Sequence, residues 1–174
     1  MRTSFRRIDD EVTVGFIGVE YHRKGGDIAE DVMSKLPRRV RKVYVGRSPR
    51  RVEGIEYHKP MRRDELLKLM AEFDVLLFPT RGEAFGFTAL EAMSMGIPIV
   101  ASNVDSVPEV VSDGGIICDV NDVKCFLDST KELINSPDYA MELGARAKAI
   151  VAKRHSPSII GKELLAIYNE LSEG

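Results

Sequence analysis

Short apolar runs alternate along the chain with longer segments whose apolar positions recur at helical spacing. The runs at 12–17, 42–46, 55–58, 75–78, 97–101 and 115–118 predict six strands. They are short and bounded by Gly, Pro or acidic residues, as buried parallel strands are. Helices are predicted over 25–36, 64–73, 87–95, 107–111, 121–134, 138–153 and 157–171. In the second of these, Leu66, Leu67, Leu69, Met70 and Phe73 fall on one face. The third has Gly86 near its cap and Gly96 just past its end. Asn121 is the expected cap of the fifth. Pro98 sits near the start of its strand, where it is tolerated.

Strands alternating with helices imply an α/β class, with a parallel sheet of about six strands covered on both faces. In such sheets ligands bind at the carboxyl ends of the strands, beside the reversal in strand order. In the Rossmann order the first and fourth strands flank that point. Their following loops, 18–26 and 79–86, are therefore the expected site.

Length and composition fit this picture. The chain has 174 residues, formal charge −2 and 44% hydrophobic residues. That suits one domain over 12–174, preceded by a polar linker or arm over 1–11, and able to bury roughly 70% of its unfolded surface. No stretch approaches the ~18 apolar residues of a membrane span, and no secretory signal is visible, so a cytoplasmic location is expected. Cys118 and Cys125 form no CxxC pair and suggest no metal site; they read as two buried free thiols in a reducing compartment. The absence of Gln beside abundant Lys and Arg points to a thermophilic source.

Charge is uneven. Residues 1–63 carry sixteen Lys/Arg against nine Asp/Glu, and residues 64–174 carry nine against eighteen. The basic part includes Arg38, Arg39, Arg41, Lys42, Arg47, Arg50 and Arg51. No aromatic platform is interleaved with it, so a nucleic-acid partner is not expected. A solvated face is the first reading, and peripheral contact with anionic lipid or a protein partner the second.

No GxGxxG follows the first strand and no GxxxxGK[ST] occurs, which leaves a dinucleotide fingerprint and a P-loop unsupported. His22, His58 and His155 have no Ser, Cys or metal-ligand partner at diagnostic spacing. The informative stretch is 78–96. A helix opening at Phe87 leaves about four backbone N–H groups without partners, at the positive end of the dipole, where a phosphate can be held. Glu83 precedes that helix. Glu91 lies just over one turn inside it and leans back toward the same end. An anion site with a carboxylate on each side suits a nucleotide-sugar: diphosphate on the amides, hexose on one Glu, ribose on the other.

The segment from Gly82 to Met93, with Glu83 and Glu91 separated by seven residues around Gly86, and the later run from Gly96 to Ser102, resemble the donor-site signature of retaining glycosyltransferases of family 4. These have the two-domain GT-B fold. The resemblance runs from Val12 to Leu171 and matches only the C-terminal, donor-binding domain. It implies a Rossmann-like three-layer α/β/α domain and a hexosyl-type transfer with retention from a UDP- or GDP-sugar. It also implies an N-terminal acceptor domain in the same or another chain. Glu83 would be the catalytic carboxylate on the sugar and Glu91 the acceptor for the ribose hydroxyls. The amides of Gly86, Phe87, Thr88 and Ala89 would wrap the sugar and distal phosphate. Lys24 would neutralise the diphosphate. The family's Arg after the first strand is replaced here by Val19, and Arg23 is the expected substitute. The rings of Phe85 and Phe87 are expected to pack in the loop. Tyr57 is expected as a core residue near the base, and Glu109 as structural. No metal or cofactor is implied, and the lack of an Asp-x-Asp triplet agrees. A non-catalytic nucleotide-sugar-binding or regulatory module is the alternative.

Overall fold

The computed structural model describes residues 11–172. Except for Glu11, the segment read as an arm lies outside the described residues. Strands β1 (Thr13–Gly18), β2 (Arg41–Gly46), β3 (Glu56–His58), β4 (Val75–Phe78), β5 (Ile99–Ser102) and β6 (Gly115–Cys118) form one sheet in the order β3-β2-β1-β4-β5-β6. Every pairing is parallel. The order reverses between β1 and β4, where Phe16 lies opposite Leu77. The helices are α1 (Gly26–Ser34), α2 (Arg63–Met70), α3 (Phe87–Ser94), α4 (Val107–Val111), α5 (Val123–Asn135), α6 (Pro137–Arg154) and α7 (Pro157–Ser172). This is the expected three-layer Rossmann-like arrangement.

The period-2 geometry of a strand sends alternate side chains to opposite faces. In β4 all four side chains are buried. Val75 and Leu77 join α1 and α5 on one face, with Phe16, Val32, Met33 and Phe126. Leu76 and Phe78 join α2, α3 and α6 on the other, with Met70, Met93 and Ile150. Each such burial contributes about 1.5–3 kcal/mol, so neither face of this strand tolerates a polar residue. β1 is registered on β4 by a reciprocal pair: Asp74 N–H donates to Thr13 O at 2.8 Å, and Thr13 N–H to Asp74 Oδ2 at 2.8 Å.

Two expectations are corrected around α5. Its cap is Asp122, whose carboxylate accepts from Cys125 N–H at 2.9 Å. Asn121 is instead in the left-handed region, with φ 68°. The two cysteines are not free thiols. Cys118 ends β6, Cys125 lies in the first turn of α5, and the tight intervening turn brings their Cα atoms to 5.7 Å in a disulfide. The reducing-compartment reading drawn from free thiols loses its support. Among the described residues no helix is long and apolar enough to cross a membrane. α7 has no buried residue, and Leu164, Leu165, Ile167, Tyr168 and Leu171 are all exposed.

Among the described residues one acid is wholly buried. Glu30, in α1, is 0% exposed. It accepts from Tyr21 Oη at 2.8 Å, Tyr57 Oη at 2.9 Å, Ser48 Oγ at 2.6 Å and Arg50 Nε at 2.6 Å. It thereby ties the loops after β1 and β2, together with β3, to α1. Burial pushes its pKa up, but the four donors outweigh that and hold it below the ordinary 4.5. A carboxylate with a lowered folded pKa contributes stability that is full above about pH 4.5 and is lost as pH falls through the folded value. Glu30→Gln is therefore expected to flatten the acid limb of stability below about pH 4.5, and Glu30→Ala to cost at least about 3 kcal/mol at pH 7 through orphaned donors. Urea denaturation across pH checks both.

Candidate functional site

Two loops meet at the reversal in strand order, and their backbones touch. Gly25 has φ 71°, and a Cβ there would fall 1.9 Å from Pro79 O. Arg81 N–H donates to Arg23 O at 2.7 Å, and Thr80 Oγ donates to the same oxygen at 3.1 Å. The Arg81 guanidinium completes the seam. It makes a two-toothed pair with Asp27 at 2.7 and 2.8 Å, and also donates to His22 O at 2.6 Å and Asn121 Oδ1 at 2.7 Å. The guanidinium, against the cost of burial, holds the Asp27 carboxyl below the usual range. Sequence reasoning missed Arg81. Its only signal was a lone basic residue in an otherwise apolar and acidic segment.

The seam brings Lys24 and Glu83 together. Their side chains are 19% and 12% exposed and form a direct ion pair. Lys24 Nζ also lies 5.9 Å from the Phe78 ring centroid. Asp105, which opens the turn after β5, fixes Glu83 from behind by accepting its N–H at 2.9 Å. Its φ is 47°. Gly86 caps α3 in the left-handed conformation at φ 93°, and no side chain caps the helix. A Cβ on Gly86 would lie 3.6 Å from Glu83 Cγ. The Lys24–Glu83 pair therefore lies beside the α3 start, where the amides of Phe87, Thr88 and Ala89 have no side-chain acceptor among the described residues.

The remaining predicted residues divide. Glu91, in the second turn of α3, is 22% exposed, and its Oε1 accepts from Arg63 at 2.9 and 2.7 Å. Arg23 does not offer a free charge in place of Val19. Glu20 holds it at 2.8 and 2.5 Å, and its Nη1 donates to Gly82 O at 2.9 Å. Its place in the fold is a loop tether. Val19 is 47% exposed. Phe87 does not pack in the loop interior: it is 72% exposed and meets the Phe85 ring at 5.2 Å. It is the first residue of α3, at the helix end and not along its packed face. Tyr57 is held by Glu30, and Arg51 covers its ring at 4.4 Å.

A separate cavity of about 350 Å³ lies between α1 and the start of α5, with Arg81, Asp27 and Arg50 in its wall. Lys24, Glu83 and Glu91 do not line it. Among the described residues no group of three or more His, Cys, Asp or Glu converges as a metal site.

Fold and site together define a Rossmann-like α/β domain with an ion-paired Lys and Glu at a helix start. Residues 11–136 match glycosyl transferases group 1, and the chain belongs to that family. It is 27% identical over 169 residues to an uncharacterized glycosyltransferase of Methanocaldococcus jannaschii, covering 91% of this chain and 48% of the other. Its fold is similar to sucrose-phosphate synthase from Thermosynechococcus elongatus, with TM-score 0.82, 21% identity, and coverage of 94% and 46%. It is similar also to Anabaena HepE in complex with UDP-glucose, with TM-score 0.80, 19% identity, and coverage of 94% and 50%. The chain spans between 16% and 48% of the length of such curated relatives. The described fold corresponds to the C-terminal domain of a group 1 glycosyltransferase.

Arg81→Ala is expected to leave Asp27 partly buried without its partner and to part the two loops. A loss of about 2 kcal/mol would lower Tm by about 4–8 °C in a chain of this size. Differential scanning calorimetry checks this; an unchanged Tm would show that the seam holds without the guanidinium.

Proposed function

We propose that this domain binds a nucleotide-diphosphate sugar for transfer of a hexosyl group with retention, as the donor half of a glycosyltransferase. The acceptor half is supplied by a further domain, in the same or another chain. The observation that carries the reading is the Lys24–Glu83 ion pair set beside the uncapped start of α3. A diphosphate placed on the amides of Gly86 to Ala89 would draw Lys24 toward its charge and release Glu83 toward the sugar hydroxyls. Charge growing on the departing diphosphate would be met by the helix-end amides and Lys24, a form of oxyanion stabilisation applied to a leaving group. In this scheme no divalent metal is needed. Glu91 would accept from the ribose hydroxyls. The complex of the HepE relative with UDP-glucose supports a sugar nucleotide as the ligand class.

A specific observation favours a second reading, a non-catalytic nucleotide-sugar module. With Val19 in place of the family's Arg, Lys24 is the one family cation left for the diphosphate, and Arg23 would have to leave Glu20 to add a second charge. One such contact is worth about 1.5–3 kcal/mol, or ten- to a hundredfold in affinity. Transfer activity after pairing the chain with an acceptor domain separates the two readings. Activity that survives a chelator supports the metal-free scheme.

Two substitutions test the ion pair by calorimetric titration. Lys24→Ala is expected to weaken UDP or GDP by roughly ten- to a hundredfold and to leave the nucleoside unchanged. Glu83→Gln removes the competitor for Lys24. It is expected to bind the nucleoside diphosphate at least as tightly as the parent while losing transfer. Equal weakening by both variants would contradict the assignment.

A further inference from the structure

We infer that Arg63 is a positioning residue for Glu91, setting the carboxylate that selects ribose. The inference rests on the donor reading above. Arg63 is the first residue of α2 and comes from the connection after β3. Cationic charge at a helix start is opposed by the helix dipole. The placement therefore breaks a local rule, and Arg63 does not turn to the acids of its own first turn. Its neighbour Arg62 lies 3.4 Å from Asp64. Arg63 instead crosses 28 residues of chain to α3.

The geometry of the contact explains why. Nε and Nη2 both donate to one oxygen, Oε1, at 2.9 and 2.7 Å. A carboxylate can accept about four hydrogen bonds through its two oxygens. The clasp occupies one oxygen and leaves Oε2 for another donor. Arg63 is 76% exposed while Glu91 is 22% exposed. An ion pair with so exposed a partner contributes little to stability, so support of the fold does not account for it. A planar guanidinium with two N–H groups on one oxygen holds that oxygen in a forked contact, which a Lys point charge does not reproduce. Because Arg stays charged at all relevant pH values, the clasp does not depend on the protonation of Arg63. It presents one fixed acceptor oxygen to a pair of vicinal hydroxyls.

The test uses the full chain, titrated with UDP and GDP and with their 2′,3′-dideoxy counterparts. The parent is expected to prefer the ribo form by about tenfold or more. In Arg63→Ala that preference falls toward one, with weakening confined to the ribo form. Arg63→Lys lies between the two, and both variants melt close to the parent. Equal weakening of ribo and dideoxy forms with the preference kept would overturn the inference and make Arg63 a phosphate or base contact. Tighter binding by Arg63→Ala would overturn it in favour of an inhibitory latch, and a collapse in melting temperature in favour of a structural role. A parent that binds both forms equally would overturn the ribose role of Glu91, and one that binds none would overturn the donor reading. Either result is distinct from a failure at Arg63 alone.

Discussion

One guanidinium holds the carboxyl edge of the sheet together. Arg81 leaves the loop after β4 and spends its donors on three separate elements: Asp27 at the start of α1, the His22 carbonyl in the loop after β1, and Asn121 ahead of α5. A parallel sheet ends in unsupported loops at this edge, and loops are the segments with the least buried apolar contact to hold them. Here the two central ones are joined by backbone hydrogen bonds and by a two-toothed ion pair. Lys24 and Glu83 can face each other because the residues beside them, Arg23 and Gly82, are already locked together.

The resting site is self-neutralised. Lys24 is paired with Glu83, Arg63 with Glu91, and Arg23 with Glu20. A charged ligand entering such a site exchanges partners and does not meet bare charge, which spares the protein the cost of isolated buried ions. Glu30 applies the same logic without a ligand. Its carboxylate lies fully inside and stays ionised because four donors converge on it.

Much of this was legible in the chain. The six strands were visible because parallel strands buried on both faces read as unbroken apolar runs, and 75–78 is the plainest case. The neighbourhood of Glu83, Gly86 and Lys24 was visible because the strand order of this fold brings the loops after β1 and β4 together. The rest depended on tertiary contacts that no local pattern encodes. Little in sequence separates Arg63 and Arg81 from a solvated Arg, since their partners lie 28 and 54 residues away, and only the isolation of Arg81 in its segment marks it. Glu30 sits among ordinary helix residues, and its burial is set by two tyrosines from other elements. The disulfide was misread because its spacing of seven fits no short motif, yet a strand end and the next helix's first turn are close in space. Asn121 was mistaken for the cap because Asn and Asp are about equally good at that position. Asp122 took the role, and Asn121 turned to Arg81.

The contact of Gly25 with the Pro79 carbonyl bears on how such a domain can diversify. The two backbones meet with no room for even a methyl group, so neither loop can be lengthened, shortened or re-angled without dragging the other. Variation that retunes selectivity is thereby driven outward, to side chains beyond the junction such as those at 19, 63 and 87. The framework stays common property while the rim becomes the editable part.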